Sequence, residues 1–114
     1  MATTLNNFVN DTQLAASATA LESTTSSEKK FVGSASVTNT STSNIEVTIW
    51  LLPTTTSATT GSGGNWIYRK TIPAGRTERV EAIIGQVIDK SMTLSGSAGT
   101  ASVVNINISG TTET

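Results

Sequence analysis

The sequence predicts an all-β protein, an antiparallel β-sandwich or Greek-key barrel of six to eight short strands with an extended N-terminal arm. Three observations carry this expectation. Apolar residues recur at every second position over short runs, as in Ile45, Val47, Ile49 and Leu51, which is the period of a strand with one buried face. Clusters of turn-forming residues separate the runs at intervals of about 8 to 12 residues. Thr and Ser together supply about a third of the 114 residues, and Thr, β-branched and polar, suits strands with a wet face. A chain of this length fits one domain with a modest core.

Taken in order, residues 1–28 are polar and rich in Ala, Thr and Ser, with thinly spread apolar residues that include Leu14 and Leu21. This segment reads as an arm containing a weak strand, with a disordered tail as the alternative on composition, ahead of a sandwich domain over residues 29–114. From Lys29 the alternation sharpens: Phe31, Gly33, Ala35 and Val37 fall on one face, Val32, Ser34, Ser36 and Thr38 on the other. The run TNTSTSN supplies turn residues, and NIEVTIWLL returns as the second strand of a predicted hairpin. Pro53, with no N–H to donate, ends the ladder. TTTSATTGSGGN, residues 54–65, reads as an exposed loop. NWIYRKTI is a third strand, with Trp66, Tyr68 and Lys70 on one face and Ile67, Arg69 and Thr71 on the other. Pro73-Ala74-Gly75 turns the chain, and RTERVEAII is a candidate fourth strand. EAIIGQVID predicts a short helical turn or a bent strand, since its apolar spacing is helical but Gly85 and the β-branched residues disfavour a helix. SMTLSGS and SVVNINISG complete the pattern as two strands around a turn at residues 97–100.

The residue inventory excludes most chemistry. There is no histidine and no cysteine, which removes the commonest general base, the usual zinc ligands, disulfides and the Ser-His-Asp and Cys-His arrangements. Ser26-Ser27-Glu28-Lys29 matches S-x-x-K but lies in a hydrophilic tract, without the buried helix start that motif needs. The carboxylates lack calcium-loop spacing, and GSGGNW lacks the Lys-Ser/Thr of a phosphate-cradling loop. No enzyme activity, cofactor or metal is expected. A formal charge of -1 gives no basic footprint for nucleic acid, and no apolar run approaches a membrane span or a secretory signal, so the expectation is a protein that starts in the cytoplasm.

The positive signal is surplus apolar surface. Trp50 and Leu52 occupy the face of the second strand that alternation assigns to water. Fully burying one large apolar side chain contributes ~1.5 to 3 kcal/mol, a good part of a small domain's net ~5 to 15 kcal/mol, so a cover is expected. The candidates are the arm, folded back through Leu14 and Leu21, and a neighbouring copy. Trp66 and Tyr68, predicted on one face, form either packing or a platform for sugar. The candidate interface therefore comprises Leu14, Leu21, Trp50, Leu52, Trp66 and Tyr68, with homo-oligomerisation as the preferred use.

The Thr/Ala-rich start MATTLNNFVNDTQLAASATAL, the segment ASVTNTSTSNIEVTIWLLP and the closing IPAGRTERVEAIIGQVIDKSMTLSGSAGTASVVNINISG resemble small virion structural proteins of tailed bacteriophages. Ile72, Pro73, Gly75, Gly85, Gln86, Val87 and Gly110 carry the likeness, which spans most of the chain. The resemblance implies a β-sandwich assembled in multiple copies on a virion, as a capsid decoration, collar, tail or fibre-attachment component. It implies capsid or tail proteins as partners, assembly in the host cytoplasm, and no catalytic residues. The alternative is a carbohydrate- or host-surface-binding module using Trp66 and Tyr68.

Overall fold

The computed structural model of the chain describes residues 3–53 and 66–114, so the loop expected over 54–65 lies outside the described residues. Nine strands run through them: β1 (Thr3–Gln13), β2 (Thr19–Ser23), β3 (Lys29–Asn39), β4 (Ile45–Pro53), β5 (Trp66–Ile72), β6 (Thr77–Arg79), β7 (Val87–Ile88), β8 (Met92–Ala98) and β9 (Val104–Glu113). They build two antiparallel sheets packed together. Sheet A has the order β1-β9-β3-β6, with β7 also paired to β3, and sheet B the order β2-β8-β4-β5. The all-β sandwich is thus the observed fold. Its core lies between the sheets, where Val32, Val37 and Ile106 of sheet A meet Val47, Ile49 and Leu94 of sheet B, all buried.

The connections differ from the expected hairpins. TNTSTSN does not fold β3 back onto β4; it carries the chain from sheet A to sheet B. The reason is Asn39, which is fully buried at the end of β3. Its Nδ2 donates to the carbonyls of Ser43 (2.8 Å) and Ile72 (2.9 Å), and its Oδ1 accepts from the Ser41 N–H (3.0 Å) and hydroxyl (2.7 Å). One side chain therefore ties the crossing loop to the end of β5 and satisfies backbone groups that a hairpin ladder would otherwise engage. The turn after β8 is likewise a crossing, from sheet B to β9 in sheet A. The Pro73-Ala74-Gly75 turn forms as expected, with the Arg76 N–H bonded to the Pro73 carbonyl (3.1 Å) and Gly75 at φ 71°, a backbone conformation glycine adopts without steric cost. The fourth strand shrinks to the three residues of β6. EAIIGQVID becomes a turn followed by the two-residue β7, with Ile83 and Ile88 buried.

The N-terminal segment is extended, as alternation indicated, but it is laid into both sheets. β1 forms the edge of sheet A against β9, and β2 the edge of sheet B against β8. The chain crosses between them at Leu14 and Ala15, where the Leu14 N–H donates to the Val104 carbonyl and the Ala98 N–H to the Ala15 carbonyl, both at 2.9 Å. Leu14 and Leu21 pack over Gly96: a Cβ there would come within 3.3 and 3.0 Å of their methyl carbons. Val9 and Leu14 belong to the common core, so the described part of the expected arm shares one core with the strands that follow it.

β-Bulges set which side chains face outward. On β3 the register shifts between Val32 and Ser34, leaving Gly33 as the extra residue. Lys30 and Val32 point inward before it and Ala35, Val37 and Asn39 after it, so Phe31 is turned out instead of joining Ala35 and Val37. On β5 Ile67 is extra opposite the step from Ile49 to Trp50. On β1 the regular pairing ends after Asn7. Each extra residue reverses the inside-outside parity of everything beyond it.

Inward-pointing Lys30 closes one end of the sandwich. Its Nζ lies 3.3 Å from Glu22 Oε1 and 3.4 Å from Glu28 Oε1, donates to the Ser23 carbonyl (3.2 Å), and sits 5.7 Å from the centre of the Phe8 ring. A buried ammonium is tolerable only with such partners.

Candidate functional site

Two of the six predicted interface residues are used up inside the molecule. Leu14 is buried in the core. Trp50 is on the outer face of sheet B, as alternation predicted, yet only 6% exposed in a single chain, between Ser95 of β8 and Trp66 of β5 in the pairing register. A neighbouring copy is therefore not needed to cover Trp50, which corrects the expectation drawn from its position. Leu52 and Leu21 are half-buried, and Leu21 packs against the core.

Trp66 and Tyr68 do not form a common platform. The bulge at Ile67 pairs Trp66 with Trp50 on the outer face and Tyr68 with Ile49 on the core face. Trp66, 40% exposed, instead stacks with Arg69, whose guanidinium lies 5.0 Å from the ring centre. The Arg69 Nε donates to Thr48 Oγ1 (3.3 Å) and is 3.8 Å from Glu46 Oε1. Tyr68 turns toward the open side of the sandwich, where Lys70 of β5 and Glu78 of β6 form an ion pair that bridges the two sheets. Burial raises the Tyr68 phenol above its ordinary value, opposed by Lys70 and assisted by Glu78 and Glu81. The hydrogen bond to Glu78, with its charge, raises the Lys70 ammonium. The charged run RTERVE is thus partly a tie between sheets.

Besides Trp66 on sheet B, the exposed large apolar side chains among the described residues lie on sheet A. Leu5 is 83% exposed, and Phe31 and Val87 are 47% exposed each. The register places all three in one row across four strands: Leu5 of β1 opposite Thr111 of β9, Thr111 opposite Phe31 of β3, and Phe31 opposite Val87 of β7. Residues directly opposite share a face, so the row is a continuous stripe about 14 Å long at ordinary strand spacing. On one flank the row Thr3, Glu113 and Lys29 carries charge, with Lys29 3.9 Å from Asp89; on the other Asn7, Ser109 and Ser34 are polar. Shallow hollows line the stripe, one formed by Leu5, Asn7, Gly33 and Ser109, the other by Phe31, Val87, Thr111 and Glu113. An apolar centre with polar flanks is the anatomy of a contact surface.

Sequence reasoning missed these three residues. Leu5 sat in the presumed arm, Val87 in the ambiguous segment, and Phe31 on the wrong face. Gly33 was the available signal, since glycine inside a strand marks a bulge.

Among the described residues no group of three carboxylate, histidine or cysteine side chains stands close enough to hold a metal ion. Compared with protein-family models, with curated proteins and with solved structures, the chain matches none.

Proposed function

We propose that this chain is a non-enzymatic structural protein of a tailed-phage virion, assembled in multiple copies and docked on the capsid or tail through its sheets. The observation that carries the reading is the row Leu5, Phe31 and Val87 on the outer face of sheet A. Covering one such side chain contributes ~1.5 to 3 kcal/mol, and three in a line give an association surface that folding of the single chain does not use. The lack of histidine and cysteine fits a structural role, and the sequence resemblance supplies the virion.

The test is light scattering on the purified chain beside the double variant Phe31→Ser, Val87→Ser. Both positions are outward-facing and about half exposed, so the variant should keep the wild-type circular dichroism at the assay temperature while its molar mass falls toward that of one chain. A wild-type chain that stays monomeric at every concentration defeats the assembly reading. Mass spectrometry of purified particles tests the virion: the chain should be present in multiple copies per particle. Deleting residues 1–25 is not a test of attachment, because it strips the whole of β1 and β2 and removes Val9 and Leu14 from the core.

A further inference from the structure

We infer that the free edge of β1 pairs antiparallel with β1 of a second copy, about a two-fold axis through Leu5, so that the two A sheets become one. The inference rests on the multi-copy reading above and names the surface through which copies meet.

An edge strand presents unpaired N–H and C=O groups, and the chemistry that matches them is another extended strand. Proteins guard such edges with charge, bulges or very short strands. Three of the four edges here are guarded. β2 carries Glu22 and a bulge after Ala20, β5 carries Arg69 and Lys70 in succession, and the far edge of sheet A is split between three-residue β6, with Glu78 and Arg79, and β7, only two residues long. The fourth is not. β1 has no charged residue before Asp11 and no proline, and it pairs regularly with β9 over residues 3–7.

The occupant follows from the symmetry of that window. Leu5 is its central residue, so antiparallel self-pairing over all five positions sets Thr3 opposite Asn7 of the other copy, Thr4 opposite Asn6, and Leu5 opposite Leu5. No charge meets a like charge. A two-fold axis perpendicular to the sheet keeps both outer faces on one side, and the stripe of one copy runs into that of the other: Val87, Phe31, Thr111, Leu5, then the same residues in reverse. The most exposed large apolar side chain among the described residues, at 83%, is thereby set against its own equivalent. The bulge after Asn7 limits pairing to these residues, so a single contact is short and gains strength from repetition in an assembly.

The absence of native cysteine makes the test direct. Leu5→Cys and Val87→Cys are prepared separately and oxidised with copper phenanthroline, and disulfide dimers are timed on non-reducing gels. Directly opposed positions in an antiparallel pair have Cβ atoms about 4.5 to 5.5 Å apart, so Leu5→Cys should dimerise at least ten-fold faster than Val87→Cys, which lies three strands from the edge. Leu5→Lys, placing two ammonium groups at the axis, should lower the molar mass by light scattering while circular dichroism stays that of the wild type. Faster cross-linking at Val87 indicates face-to-face stacking and overturns the inference. A wild-type chain that multimerises, with Leu5→Cys no faster than Val87→Cys and Leu5→Lys without effect, leaves the β1 edge to a different chain; that overturns the inference and keeps the multi-copy reading. A chain that is monomeric throughout overturns both.

Discussion

Gly110 lies on β9 opposite Val32, beside the bulge at Gly33, in the middle of sheet A. A Cβ added there would fall 1.9 Å from the Phe31 carbonyl oxygen and 2.9 Å from the Gly33 nitrogen. Since a close C···O contact is about 3.3 Å, Gly110→Ala forces an overlap of about 1.4 Å onto backbone, which has no rotamer to change. β3 is held on its other side by β6 and β7, so it cannot move without loosening two ladders. Overpacking of this kind costs about 1 to 3 kcal/mol, and one or two weakened backbone hydrogen bonds add about 1 kcal/mol each, giving a loss of about 2 to 5 kcal/mol. With a urea dependence of ~1 to 3 kcal/mol/M, the unfolding midpoint should drop by roughly 2 M.

Gly33→Ala is the internal control. It sits one strand away in the same irregularity, but its Cβ would meet nothing nearer than the Gly110 Cα at 3.7 Å, and Gly33 is exposed. Its unfolding midpoint should stay within the equivalent of about 0.5 kcal/mol of wild type, helped by the reduced freedom of the unfolded chain. Equilibrium urea denaturation followed by tryptophan fluorescence reads both variants. A Gly110→Ala protein within about 0.5 kcal/mol of wild type, or equal losses in the two variants, refutes the close approach of β3 and β9 described above.

Three further outcomes follow from the same packing. Asn39→Ala should destabilise by about 2 to 3 kcal/mol in thermal or urea melts, because it removes four hydrogen bonds and strands the buried Ile72 carbonyl; a loss under about 0.5 kcal/mol would show that the crossing loop does not depend on it. Trp50→Ser should lower the stability of the isolated chain by about 3 to 5 kcal/mol, as for a buried Trp, with no selective effect on molar mass; a change in assembly alone would return Trp50 to an interface. Tyr68 is the sole tyrosine, so absorbance at alkaline pH reports it directly: its midpoint should lie above 10 and rise on Lys70→Met but fall on Glu78→Gln, matching the opposed influences of those neighbours. Both the Tyr68 and Lys70 values are raised in the fold, so the stability each contributes is complete below its unfolded pKa and is lost as pH climbs through the folded one. Unfolding temperature should therefore decline above about pH 10.

How much of this could be read from the chain depends on where the bulges lie. Ile45, Val47, Ile49 and Leu51 alternate without interruption against β8, and there the period of two gave the buried face correctly. Trp66 and Tyr68 have the same spacing, but Ile67 is an extra residue and parity reverses between them. Phe31 and Val37 are separated by Gly33 in the same way. Alternation is a local signal, and one inserted residue inverts it without changing composition. The crossing loops were opaque for a different reason. TNTSTSN states that the chain turns, but whether the next strand joins the same sheet is decided by a buried Asn39 reaching Ile72, 33 positions away. The charge content of the edges was legible throughout; which strands are edges was not, since that needs the strand order.

Alternation drew attention to apolar surface on sheet B, where Trp66 stays 40% exposed and Trp50 does not, while three further exposed apolar residues lie on sheet A, and the difference bears on what the surplus is for. Trp50 is almost fully enclosed by its own chain, so folding accounts for it. Leu5 is not, for most of it stays in water, as does about half of Phe31 and of Val87, and substitution of Leu5 should change the stability of a single copy by no more than about 0.5 kcal/mol. Folding physics thus gives no reason for a leucine at that end of the row, when Thr111 beside it shows that a polar β-branched residue fits there. The exposed part of all three contributes only when a second surface excludes water from the stripe. Leu5 is where that stripe reaches the one long edge strand without charge before Asp11, so the contact that covers the face and the contact that completes the sheet converge on the same residue.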